Sequence, residues 1–226
     1  MDKISCIIAA FNEYDRIAKV LQAVHNHPKL SEVIVVDDGS IDHTDEVVRQ
    51  FPNIRLIKQP KNQGKSMAVF TGINNATGNI IFLLDADLVG LTAENITDMV
   101  DPVLSGQADI AISIRKNSPW FDRMVGIDYI SGERVFLKKL IQGHLNEIPK
   151  LRAFGLEVFL NRLIIKNKYR IKIVPMMNVI SPLKYKKSGF MAGVKGDFNM
   201  MRDIFKTVSV LEAGMQYVRM TRLKVK

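Results

Sequence analysis

Ile80-Ile81-Phe82-Leu83-Leu84-Asp85-Ala86-Asp87 decides how the rest of the chain is read. Five consecutive apolar residues without alternation describe a strand covered on both faces. The run ends on two carboxylates two positions apart. Outward from it, the same apolar, β-branched signature recurs at residues 4–10, 32–37, 54–58 and 110–114. Helical periodicity lies between these runs. Ile17, Val20, Leu21 and Val24 fall at i, i+3, i+4 and i+7, and Thr92 is placed to cap a helix running through Val100. Strands and helices in alternation, with short connections, predict an α/β fold: a mostly parallel twisted sheet flanked by helices. In such a sheet the ligand crevice lies beyond the carboxyl ends of the strands.

From about Ser118 the pattern loosens. Ser118-Pro119-Trp120 and Ser131-Gly132 read as loops, 156–167 as a helix and 170–175 as a strand. Gly189 and Gly193 precede a last helical stretch over about 195–220, apolar on one side and basic on the other. No linker, internal repeat or low-complexity tract interrupts the chain. One domain over residues 1–190 is expected, with a basic amphipathic helical appendage over 191–226.

Composition narrows the class. A chain of 226 residues with 47% hydrophobic and 24% charged residues suits a globular domain with its own core. Cys6 is the only cysteine and lies in an apolar run, so reduced, cytoplasmic surroundings are expected. Met1-Asp2-Lys3 leads into a short apolar run ended by Asn12 and Glu13, which is not the pattern of a secretory signal. No apolar run approaches the ~20 residues of a spanning helix. The net charge of +9 is unevenly placed, with −2 over residues 1–165 and +11 over 166–226. Such an end predicts an anionic partner, either a lipid surface or a phosphorylated substrate. It lacks the interleaved aromatics of a nucleic-acid platform, so nucleic acid is not expected.

Three polar clusters fall where strands should end: Ala10-Phe11-Asn12-Glu13, then Val35-Val36-Asp37-Asp38-Gly39-Ser40 with Asp42 and Thr44, then Asp85-Ala86-Asp87. A single acid at a strand end is ordinarily a helix cap, but three clusters on one rim are not explained that way. Asp85 and Asp87 project to the same side of an extended segment and repel unless a cation lies between them. Carboxylate oxygens suit Mg²⁺ or Mn²⁺, and no Cys or His cluster argues for zinc. A metal held by one or two carboxylates keeps positions open for phosphate oxygens. Asn62-Gln63-Gly64-Lys65-Ser66 leads into a helix and places Lys65 where phosphate meets a helix N-terminus.

Taken in order, these segments resemble the family 2 glycosyltransferases with the GT-A nucleotide-sugar-binding fold. Later matches are Ser131-Gly132-Glu133-Arg134-Val135-Phe136, Gly155-Leu156-Glu157 and Ile173-Val174-Pro175. The branch that makes polyprenyl- or dolichyl-phosphate sugars is similar in Lys186-Lys187-Ser188-Gly189 before a basic end. It differs after Asp87, where this chain reads Leu88-Val89-Gly90-Leu91 in place of a polar Gln and prolines. The resemblance implies roles by position. Phe11, Glu13, Asp37 and Asp38 line the nucleoside pocket, Asp85 touches ribose or metal, and Asp87 is the main metal ligand. Arg115 and Arg134 meet diphosphate or the acceptor's phosphate, as do Lys186 and Lys187. Glu157 is the general base where the acceptor is a hydroxyl. The implied activity is inverting transfer from a nucleotide-diphosphate sugar to a polyprenyl phosphate at an anionic membrane face. The alternative acceptor is a small soluble phosphorylated molecule.

Two rival readings differ in class. In a haloacid-dehalogenase-like phosphatase Asp85 would be the nucleophile, but that loop belongs near the start of the chain, not after a fourth strand. A non-catalytic basic module binding membrane or RNA leaves the acidic set unexplained.

Overall fold

The computed structural model describes residues 2–151, 155–182 and 209–225. Its strands are β1 (Ile4–Ala10), β2 (Glu32–Asp37), β3 (Ile54–Lys58), β4 (Ile80–Asp85), β5 (Ile110–Arg115), β6 (Arg134–Leu137) and β7 (Ile171–Met176). They form one sheet in the order β3-β2-β1-β4-β6-β5-β7. All neighbours are parallel except β6, which runs antiparallel to both β4 and β5. The expected α/β architecture is therefore present, with one inserted strand that the apolar runs did not announce.

Helices cover both faces. On one side lie α1 (Ile17–Val24), α2 (Thr44–Arg49) and α4 (Ala93–Leu104), packed through Ile17, Val20, Val48, Ile96 and Val100 onto Cys6, Ile8, Val35, Phe82 and Leu84. On the other lie α3 (Lys65–Asn75) and α7 (Gly155–Asn167), packed through Val69, Ile73, Leu160 and Ile164 onto Ile7, Ile34, Ile81, Leu83 and Ile112. Successive strand residues thus serve opposite cores, which explains runs of Ile and Val without alternation. Each such side chain, fully buried, contributes about 1.5–3 kcal/mol. At α4 the Thr92 hydroxyl accepts from the Asn95 N–H while Asn95 Oδ1 accepts from the Thr92 N–H, a reciprocal cap.

Short helices α5 (Trp120–Val125) and α6 (Lys139–Gln142) and a 3-10 helix (Leu145–Lys150) link the later strands. Of the C-terminal segment, α8 (Val210–Thr221) is described, and the rest of the helix expected over 195–220 lies outside the described residues. One side of α8 docks on the α3/α7 face. Met220 and Gln216 are buried, the Tyr217 and Tyr129 rings stack at 5.8 Å, and Arg162 on α7 pairs with Glu212 at 2.9 Å.

Candidate active site

β2 and β4 flank β1, so the connections leave β1 in opposite directions and open a crevice at its carboxyl end. In register, Asp37 lies beside Ala10 and Asp85 beside Ala9. The first two polar clusters interlock. The Asn12 N–H donates to Ser40 Oγ (2.9 Å), the Glu13 N–H to Thr44 Oγ1 (2.9 Å) and the Tyr14 N–H to Asp42 Oδ2 (3.0 Å). Asp42 and Thr44 are therefore loop clamps. Burial would raise the Asp42 carboxyl, but the Thr44 hydroxyl and the Tyr14 and Thr44 N–H groups outweigh it and hold its pKa below the usual aspartate value.

Asp37 is fully buried. Its Oδ1 accepts the Ser40 N–H (2.9 Å), and its Oδ2 is buried without a hydrogen-bond partner. Asp38 instead ties down the next loop, accepting the Gln63 N–H (2.9 Å) and the Gly64 N–H (2.7 Å). Gly64 sits at φ +93, a conformation that suits glycine, and α3 begins on it without a side-chain cap. Phe11 stands at the rim, 42% exposed, and Glu13 pairs with Arg16.

Lys65, the first residue of α3, joins the two halves of the site. Its Nζ lies 2.8 Å from Asp85 Oδ1 and 3.1 Å from Glu157 Oε1. Burial would lower the Lys65 pKa, but the Asp85 and Glu157 carboxylates outweigh burial and hold it above the ordinary lysine value. Asp85 moves the other way: burial would raise it, and Lys65, then Arg115, keep it low. Glu157, at the start of α7, is buried with Oε2 unpartnered, so it faces the site and not solvent. Asp87 is half-buried, with Ser181 Oγ 3.5 Å from its Oδ1. Beyond it Val89 pairs through its backbone with Ile180, closing that side of the crevice.

Both site arginines depart from expectation. Arg134 opens β6 and is 1% exposed. Its Nε donates to the Ser131 carbonyl (2.8 Å), Nη1 to Asn161 Oδ1 (2.7 Å) and Nη2 to the Tyr129 carbonyl (3.0 Å). The sequence expectation placed it at a phosphate; here the guanidinium is enclosed by protein and braces the β6 turn against α7. Arg115 does reach the site, close enough to feel Asp85 and Asp87, but it is clamped by Glu133 (3.0 Å) and Asp128 (3.4 Å). Glu133 is the residue that the sequence reading left without a role. It is fully buried, bonded to Ser113, Ser131 and Arg115, and held above the usual glutamate pKa by burial, with Asp85 adding to the effect. Its signal in the sequence was its place in Ser131-Gly132-Glu133-Arg134. Gly132 in that turn approaches Asp85 so closely that a Cβ would stand 2.6 Å from Oδ2. Lys186 and Lys187 lie outside the described residues.

A hard divalent ion fits the donor set. Asp85 and Asp87 offer carboxylate oxygens at one strand end, and Arg115 and Lys65 balance the surrounding negative charge. Among the described residues no cluster of three His, Cys, Asp or Glu side chains forms a closed cage. An ion here would keep positions for ligand oxygens, as Mg²⁺ does.

Residues 5–152 match the family model described as Glycosyl transferase family 2, and the chain belongs to that family. A dolichol-phosphate mannosyltransferase of Pyrococcus furiosus is 26% identical over 191 residues, covering 74% of this chain and 53% of the relative. A dolichyl-phosphate beta-glucosyltransferase of Trichomonas vaginalis is 36% identical over 97 residues, covering 37% and 30%. The chain thus spans about half the length, or less, of these relatives. Glucosyl-3-phosphoglycerate synthase of Mycobacterium tuberculosis, solved with Mn²⁺, uridine diphosphate and phosphoglyceric acid, superposes with a TM-score of 0.71 at 18% identity over 92% of this chain and 79% of that one. That likeness establishes the GT-A fold. Family membership also removes the phosphatase reading of Asp85.

Proposed function

We propose that the chain is a metal-dependent inverting transferase acting on a nucleotide-diphosphate sugar, with a polyprenyl phosphate at the cytoplasmic membrane face as acceptor. Names among its relatives, such as dodecaprenyl-phosphate galacturonate synthase, support the acceptor class. The observation that carries it is the Lys65–Glu157 pair. Glu157 Oε1 is occupied by the Lys65 ammonium at 3.1 Å, so that oxygen is not turned toward an acceptor hydroxyl as a general base would be. A phosphate acceptor needs none, because its oxygen is already an anionic nucleophile.

In this reading the interlocked Phe11–Glu13 and Asp37–Ser40 loops form the nucleoside cradle. Lys65 and the uncapped start of α3 receive the diphosphate. A divalent ion on Asp87 and Asp85 would supply neutralisation of the departing diphosphate. The acceptor oxygen forms its bond to the anomeric carbon as the bond from that carbon to the diphosphate breaks. Arg115 acts at one remove, its charge lowering the cost of the buried acids. Lys186 and Lys187 are proposed to meet the acceptor's phosphate.

One observation favours a second reading. Glu157 Oε2 is buried and has no hydrogen-bond partner, which is where the proton of an acceptor hydroxyl would go. Glu157→Gln separates the two. Transfer to polyprenyl phosphate should keep a substantial fraction of its rate. Loss of transfer to every acceptor, or transfer only to a small hydroxylated one in the parent chain, assigns Glu157 as the general base and rejects the lipid acceptor.

A further inference from the structure

We propose that α5 and α8 together form the face by which the chain lies on an anionic bilayer, with Trp120 as its leading side chain. This deepens the lipid-phosphate reading above and rests on it for its purpose. On α5, Trp120 is 71% exposed and Met124 67%, with Phe121 half-exposed beside them. On α8, Leu211, Met215 and Val218 fall at i, i+4 and i+7 on the side opposite the buried Gln216 and Met220, and all three are exposed. Large apolar side chains grouped on a surface mark a partner.

The two helices are one unit. The Phe121 and Tyr217 rings approach to 5.4 Å, and Tyr217 Oη lies within hydrogen-bond reach of Asp122 and the Ile127 carbonyl. Lys224 Nζ donates to the Val125 carbonyl (2.9 Å).

Charge selects the occupant. Arg123, Arg219 and Arg222 are exposed around the apolar side chains. The two acids of these helices are withdrawn, Asp122 buried under Tyr217 and Glu212 paired with Arg162. A second copy would set these arginines against each other. An interfacial helix combines an apolar stripe with flanking arginine, and tryptophan settles at headgroup depth. The placement also suits the reaction. α5 hangs between Ser118 and Asp128, and both bond Arg115 at the end of β5, so the face adjoins the catalytic rim.

Trp120 is the only tryptophan, so fluorescence excited selectively at tryptophan, beyond the absorption of the tyrosines, reports this face alone. The full chain is mixed with phosphatidylcholine–phosphatidylglycerol vesicles and, as a control, phosphatidylcholine vesicles. The expected result is a blue-shifted emission with the anionic vesicles, quenched by acyl-brominated lipid. Replacing Arg219 and Arg222 by Gln should weaken partitioning roughly thirtyfold, from about fivefold per basic residue at an anionic surface. Met124→Ser with Val218→Ser should weaken it too, with nucleotide-diphosphate binding unchanged. Vesicle binding with Trp120 unquenched overturns the proposal. So does a Trp120 shielded by self-association without lipid, or one that responds to RNA and not to vesicles. Docking without transfer to polyprenyl phosphate keeps the face and rejects the acceptor. Transfer in detergent without any Trp120 response does the reverse.

Discussion

Asp87 and Arg134 stood together as site residues in the sequence, and the structure separates them. Asp87 remains at the rim of the crevice, half-buried beside Ser181. Removing a direct metal ligand should take away several kcal/mol of transition-state charge stabilisation. Asp87→Asn is therefore expected to abolish transfer while melting like the parent, and calorimetry should show nucleotide diphosphate losing its dependence on Mn²⁺. Equal metal-dependent affinity in the variant would remove Asp87 from the metal site. Arg134 behaves as a brace, so Arg134→Ala should strand the buried Asn161 amide oxygen and leave a cavity, while the Tyr129 carbonyl keeps its bond from Asn161 Nδ2. A loss of about 2–5 kcal/mol is expected, from a buried acceptor left unsatisfied and the cavity left by a large side chain. Thermal melts test this, since a variant with the parent's melting temperature and no activity would return Arg134 to the chemistry. Sequence shows that an arginine belongs at this turn but not which way it points, because burial is a property of the neighbours that arrive from α7. The burial of Glu133 was illegible for the same reason.

Strands were the most legible elements, because a strand buried on both faces needs Ile and Val at every position, as in Ile80-Ile81-Phe82-Leu83-Leu84. β6 escaped notice because it has four residues, starts with a charge and follows a Ser-Gly turn that reads as loop. Helix α8 was legible by periodicity, though not its docking through Tyr217. One Tyr217 hydroxyl hydrogen faces two acceptors, Asp122 and the Ile127 carbonyl. A protonated Asp122 resolves this by donating to Tyr217, which then donates to Ile127. Burial raises the Asp122 carboxyl to about 6, against the Tyr217 hydrogen bond and with Asp128 adding. Because the folded value lies above the unfolded ~3.9, this stabilisation is full below about pH 4 and is lost as pH rises through about 6. Asp122→Asn should flatten the dependence of melting temperature on pH across that window. An unchanged slope would place the titration elsewhere.

Over the whole molecule, donor and metal should act as ligands of the folded state. At a hundredfold excess over Kd, a nucleotide diphosphate with Mn²⁺ stabilises by roughly 2.7 kcal/mol, which for a domain of this size is about 5–10 °C in melting temperature. A panel of nucleotides should single out one base, and EDTA should erase the shift. A shift independent of metal would contradict the Asp85/Asp87 assignment. No described helix is long and apolar enough to cross a membrane. The order of the sheet has a consequence for how this chain comes to exist. β4 and β5 meet only through β6, which follows both in the chain. While residues 1–133 leave the ribosome, β4 and β5 each expose an unpaired edge, the kind of edge that recruits other chains. Four late residues, anchored by Arg134, close both at once. Because Asp85 sits on β4 and Arg115 on β5, the crevice rim that holds both cannot assemble before that strand arrives. Chaperone capture of nascent chains should therefore fall sharply once residues 134–137 have emerged and paired.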